Sequence, residues 1–232
     1  MRRLKHLLYL LCVVALGDSE PSSSSTQSHP QRASVPCLFA NDQPYEFDVR
    51  TCRADPMRIS QKENIRAAIK SLAPGNVSLI FLGCAGAPFS TRPGEADASY
   101  TIYYPILPRS APDDYVAPLI HELSHVYQLQ LSGSYAKLTH SYSMRRIELG
   151  ADYLTGVVIR NYLNSSNPTQ FEHNLQLVGK YRETDTEAHG RPEQRVAAFR
   201  YGFHLPFEEF KQDLRLANRE FQRNRYGDLE DF

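Results

Sequence analysis

The chain has 232 residues, enough for one substantial domain with a tail. Its 26 Lys+Arg balance 26 Asp+Glu to a formal net charge of +0, and no basic run stands beyond the N-terminus, which argues against nucleic-acid binding. No run of ~18 or more apolar residues is available to span a bilayer as a helix.

At the N-terminus, Arg2, Arg3 and Lys5 precede an apolar run over residues 7–16. A basic start followed by a core too short for a membrane span is the pattern of a secretory signal. Small residues at Ala15 and Gly17 set the expected cleavage after Gly17, so residues 1–17 are the expected signal peptide. Cys12 has no small residue before it, which argues against lipid attachment. Residues 18–36 are rich in Ser and Pro, have little to bury, and read as a disordered linker. Residues 37–232 remain as the folded domain. The expected location is therefore secreted or periplasmic, where disulfides form. Signal removal leaves Cys37, Cys52 and Cys84. Cys37 and Cys52 close a short loop and are the expected bridge, with Cys84 a buried thiol. The sequons at Asn76 and Asn164 matter only where the host glycosylates.

Ser60-x-x-Glu63 reads as a capping box for a helix carrying Ile65, Ala68, Ile69 and Leu72, ended by Pro74-Gly75. The apolar run 77–83 predicts a buried strand. Residues 100–107 are β-branched and aromatic, and Pro105 confines them to a sheet edge or a strand end. An edge just there would let an extended peptide add as one more strand. A helix should start between residues 113 and 117, with Pro118 in its first turn and Gly133 as terminator. A loop through His140 leads to a second long helix over 143–163. A helix over 169–181, a polar loop over 182–189 and a short helix from Pro192 to about residue 203 follow. Phe207, Phe210, Leu214, Ala217 and Phe221 at 3/4 spacing predict one last helix packed on the body. The fold class is mainly α with a small β-sheet (α+β).

Chemistry concentrates in His121-Glu122-Leu123-Ser124-His125. Two histidines four apart lie one above the other on a helix, so both rings can reach one metal ion. Glu122 lies at the edge of that face, placed to take a proton from water held at the metal. A hydrolytic zinc site takes three protein ligands. Glu148 on the next helix is the candidate third ligand. Asp152, four residues on, is the candidate acceptor for the spare imidazole N–H of a ligating histidine. Gly150, Ala151 and Gly156 thin this helix, as a close approach to the histidine helix requires.

The segments HELSHVYQ, RRIELGADYLTGVV and HGRPEQRVAAFRYGF, in that order, resemble the neutral zinc metallopeptidases of bacteria. The resemblance covers roughly residues 115–203. It implies a zincin-like arrangement with zinc ligands His121, His125 and Glu148, and with Glu122 as general base. Val126 stands where members often have a further His, and Tyr153 where a Cys often follows the Ala-Asp pair. Neither change touches an implied ligand.

A peptidase needs a donor beside the developing oxyanion, usually His, Tyr or Arg. His189 is the candidate catalytic residue for this task, and Arg195 is another. Arg195 and Glu193 can equally pin their loop to the helix pair. His140, Tyr142 and Tyr153 are lesser candidates, while His29, His173 and His204 have no expected role. The expected activity is zinc-dependent peptide hydrolysis, with Zn2+ as cofactor, a peptide or protein as substrate, no nucleic-acid partner and no membrane span once the signal is removed. The alternative is a catalytically inactive, zinc-stabilised binding or scaffold protein.

Overall fold

A computed structural model describes residues 32–35, 45–106, 115–169, 171–173 and 189–230. The expected signal peptide, Cys37, most of the 169–181 helix and the 182–188 loop lie outside the described residues. Arg32–Val35, inside the stretch read as linker, forms strand β1 and pairs antiparallel with β2 (Tyr45–Asp48).

A second sheet has the order β3 (Arg53–Ala54), β4 (Ser78–Cys84), β6 (Ser99–Pro105), β5 (Ser90–Pro93). β4 and β6 run parallel, while β3 and β5 are antiparallel to their neighbours. Of the two placements expected for Pro105 the strand end holds and the sheet edge does not: β6 is paired on both sides, and the edge beside it falls to β5 among the described residues. Pro105 is tolerated because it sits in the last pair of the β4–β6 ladder, opposite Cys84. The expected buried strand is half right. Phe81 is buried from β4, but Ile80 on the other face is 51% exposed.

The disulfide joins Cys52 to Cys84, not Cys37 to Cys52. Strand register explains the partner. Arg53 lies opposite Gly83 in the antiparallel β3–β4 pair, so Cys52 falls opposite Cys84. Loop length, the basis of the sequence expectation, carries no such information.

Helix α1 (Glu63–Leu72) buries Ile65, Ala68 and Leu72 as its spacing predicts. Its capping box does not form. Lys62 is the N-cap, and Ser60 Oγ instead donates to Asp55 Oδ2 in the preceding turn. Helix α2 (Val116–Ser132) carries Pro118 in its first turn and ends at Gly133, whose φ of 77° is the left-handed cap that glycine permits. Short α3 (Tyr135–Ser141) and long α4 (Met144–Asn161) follow, each capped by a serine side chain.

Helix α5 (Pro192–Phe203) packs on α4 more closely than any side chain would allow. A Cβ at Gly156 would strike the backbone of Phe199, and one at Gly202 would strike that of Tyr153. Gly156 thus serves the α4–α5 crossing and not the histidine helix. Gly150 does face α2, where a Cβ would come within 2.9 Å of Gln128 Nε2.

The single C-terminal helix is also corrected. Phe207–Phe210 is a 3-10 turn, and Lys211 and Gln212 take positive φ of 55°. The chain then enters α6 (Leu214–Glu220), a π turn over Phe221–Arg225, and α7 (Tyr226–Glu230). The apolar stripe still reaches the core through Phe207, Leu214, Ala217 and Phe221. No helix among the described residues is long and apolar enough to cross a membrane.

Candidate metal centre

Helix α2 is buried from Val116 to Leu129 apart from Pro118, so its two histidines enter the interior and not solvent. The matching stretch of α4, from Ile147 to Ile159, is buried as well. Polar groups at that depth need partners.

His121 Nδ1 lies 2.8 Å from Asp152 Oδ1. Asp152 also receives Arg195 Nε at 2.7 Å on Oδ2 and Arg195 Nη2 at 2.9 Å on Oδ1. Burial alone would raise the pKa of Asp152, but Arg195 and His121 outweigh it and hold the carboxyl below its ordinary range. An ionised carboxylate only accepts, so His121 must donate from Nδ1.

His125 Nδ1 lies 3.0 Å from Gln128 Oε1. The amide end of Gln128 donates to the Ile147 carbonyl at 2.9 Å, which fixes which end of the side chain faces the ring. His125 therefore also donates from Nδ1.

With both Nδ1 atoms engaged as donors, the two Nε2 atoms point at each other, 3.1 Å apart. Glu148 closes the group. Its Oε2 is 3.2 Å from His121 Nε2, and its Oε1 is 3.5 Å from His125 Nε2. Two lone pairs and a carboxylate converging in a dry interior repel unless a cation lies among them. In metal-free protein that cation is a proton. Burial pulls the pKa of His121 down, yet Asp152 and Glu148 raise it to about 9. Burial likewise opposes ionisation of Glu148, but the surrounding histidines hold its pKa well below the ordinary value.

A metal ion fits the same place. Ligands about 2.0–2.1 Å from a tetrahedral ion stand roughly 3.3 Å from one another. The three separations here bracket that value. His121, His125 and Glu148 can thus hold a metal ion. The donor set alone does not choose among divalent ions.

Glu122 is buried but stands outside the ligand group. Thr91 Oγ1, on edge strand β5, lies 2.8 Å from Glu122 Oε2 and 2.9 Å from its backbone carbonyl. His189 is also buried, with Nε2 3.9 Å from Glu148 Oε1. Arg195 ties α5 to α4 by donating from Nε and Nη2 to Asp152. His140 is exposed, Tyr142 stacks under Arg146, and Tyr153 packs against Phe221, so none of the three joins the cluster.

Sequence reasoning assigned no role to Thr91 or Gln128. Gln128 has a local signal, since it lies one turn from His125 on the same helix. Thr91 has none, being 31 residues from its partner. A scan against protein-family models, a search of curated proteins and a search of solved structures each found no match.

Proposed function

We propose that the chain is an exported zinc metallopeptidase with a zincin-like site, in which His121, His125 and Glu148 hold the metal. The observation that carries this reading is the pair of facing imidazole Nε2 atoms closed by Glu148, with an unligated carboxylate, Glu122, next in sequence. The same order of motifs gives the chain its resemblance to the neutral zinc metallopeptidases. The Cys52–Cys84 bridge supports an oxidising compartment, hence a secreted or periplasmic location.

When bound, zinc supplies Lewis acidity that polarises a scissile carbonyl and makes water a better nucleophile near neutral pH. Glu122 takes the proton from the attacking water and carries it to the leaving amine. Thr91 orients that carboxylate. His189 is the residue we assign to the oxyanion. Asp152 keeps His121 in the tautomer that leaves Nε2 for the metal, and Gln128 does the same for His125. Among the described residues β5 is the sheet edge beside Glu122, buried at Ser90 and Thr91 and exposed toward Pro93.

The test is Glu122→Ala. It should retain zinc at wild-type stoichiometry and lose cleavage of a peptide library that the zinc-loaded wild type cuts and a chelator protects. Cleavage retained by Glu122→Ala would sink the mechanism.

A further inference from the structure

We propose a second site, for a phosphate-type oxyanion, in the cleft between α3 and α6. Lys137 and His140 stand one turn apart on α3, and Arg215 and Arg219 one turn apart on α6. All four line one cleft of about 720 Å³ that no Asp or Glu lines. Two helices from distant parts of the chain thus present basic pairs to the same concavity.

Like charges so placed repel unless something neutralises them. Arg215 has a partial answer in Asp213, 3.3 Å away at the rim. Lys137 and Arg219 have no ion pair among the described residues. A hydrogenphosphate group meets that need, its charged oxygens accepting from the Lys and Arg donors. Arg219, which has no ion pair among the described residues, favours a tetrahedral oxyanion over a point charge such as chloride, because its guanidinium presents parallel donors.

The site is separate from the metal centre, although Gln128 lies between them: it lines the cleft and also accepts from His125. The proposal does not depend on hydrolysis, so it can fail or stand apart from the peptidase reading.

Calorimetric titration of inorganic phosphate into the full chain at low ionic strength tests it, with metal loaded and with metal chelated. One saturable site is expected in both states. Lys137→Ala combined with Arg219→Ala should weaken it by about tenfold or more, since two charge-assisted partners are removed. Arg219→Glu should abolish it. Arg223→Ala, an exposed arginine outside the cleft, should leave it unchanged. Unchanged thermal unfolding of the double variant shows that the loss is of the site and not of the fold. The proposal is overturned by absence of saturation, by equal affinity in the double variant, or by loss of binding on chelation. It is equally overturned if the chain binds phosphatidate vesicles that free phosphate does not compete for, since the cleft then reads a lipid surface.

Discussion

The candidate metal centre has two walls built on different terms. On the helical wall, α5, α4 and α2 are tied by one continuous polar chain, Arg195 to Asp152 to His121, and a second tie runs from the Ile147 carbonyl through Gln128 to His125. On the sheet wall the Thr91 hydroxyl is the one hydrogen-bond partner of the Glu122 carboxylate among the described residues. Ligands must keep their geometry, and each of the two imidazoles is fixed from behind by its own acceptor. The proposed base, Glu122, must move a proton, and its carboxylate has that one hydrogen bond with the charge of Arg195 nearby. The two walls should therefore respond differently to substitution.

The largest effect belongs to the ligands. His125→Ala should abolish stoichiometric zinc binding, read by metal analysis of protein dialysed against a weak chelator. Next comes Arg195→Ala, which leaves Asp152 as a buried charge without its main partner. That change should cost about 3–5 kcal/mol in denaturant unfolding. Gln128→Leu frees His125 to take the other tautomer and should weaken zinc about 10–100-fold by competition titration.

Acidity acts on the same wall. His121 in metal-free protein has its pKa raised from the ordinary 6.5 to about 9, against the pull of burial, by Asp152 and Glu148. A raised pKa stabilises the metal-free fold below pH 6.5, and that contribution is lost as pH rises through 9. Zinc must displace this proton, so its affinity should climb about tenfold per pH unit from neutrality toward 9. A flat affinity over that range would show that His121 does not carry the proton. The smallest effect on the metal belongs to the sheet wall. Thr91→Val should change zinc affinity by no more than about twofold, since Thr91 touches no ligand. It should lower kcat with little change in KM, and Thr91→Ser should restore it.

The same contrast explains what could be read from the sequence. His121, His125, Glu148 and Asp152 were legible because helical spacing places side chains on a face whatever the rest of the fold does. Gly133 and Pro118 fixed the ends of α2 by backbone chemistry alone. What failed to show depends on register or on distant packing. Cys84 pairs with Cys52 through the β3–β4 ladder, which no count of loop residues reveals. Likewise, the sheet order makes β5 the edge in place of β6, and Thr91 reaches Glu122 only because of that order. The 3/4 stripe from Phe207 to Phe221 predicted burial correctly for Phe207, Leu214, Ala217 and Phe221, but not the break at Lys211 and Gln212, whose positive φ has no marker in those residue types.

The central claim is that the facing Nε2 atoms of His121 and His125, with Glu148, form one metal site. Its most direct test is a calorimetric zinc titration of the chelated full chain, alongside the His121→Ala, His125→Ala and Glu148→Ala variants. One high-affinity ion per chain is expected, lost in either histidine variant and weakened in Glu148→Ala. No stoichiometric binding, or equal binding in all four proteins, would contradict it.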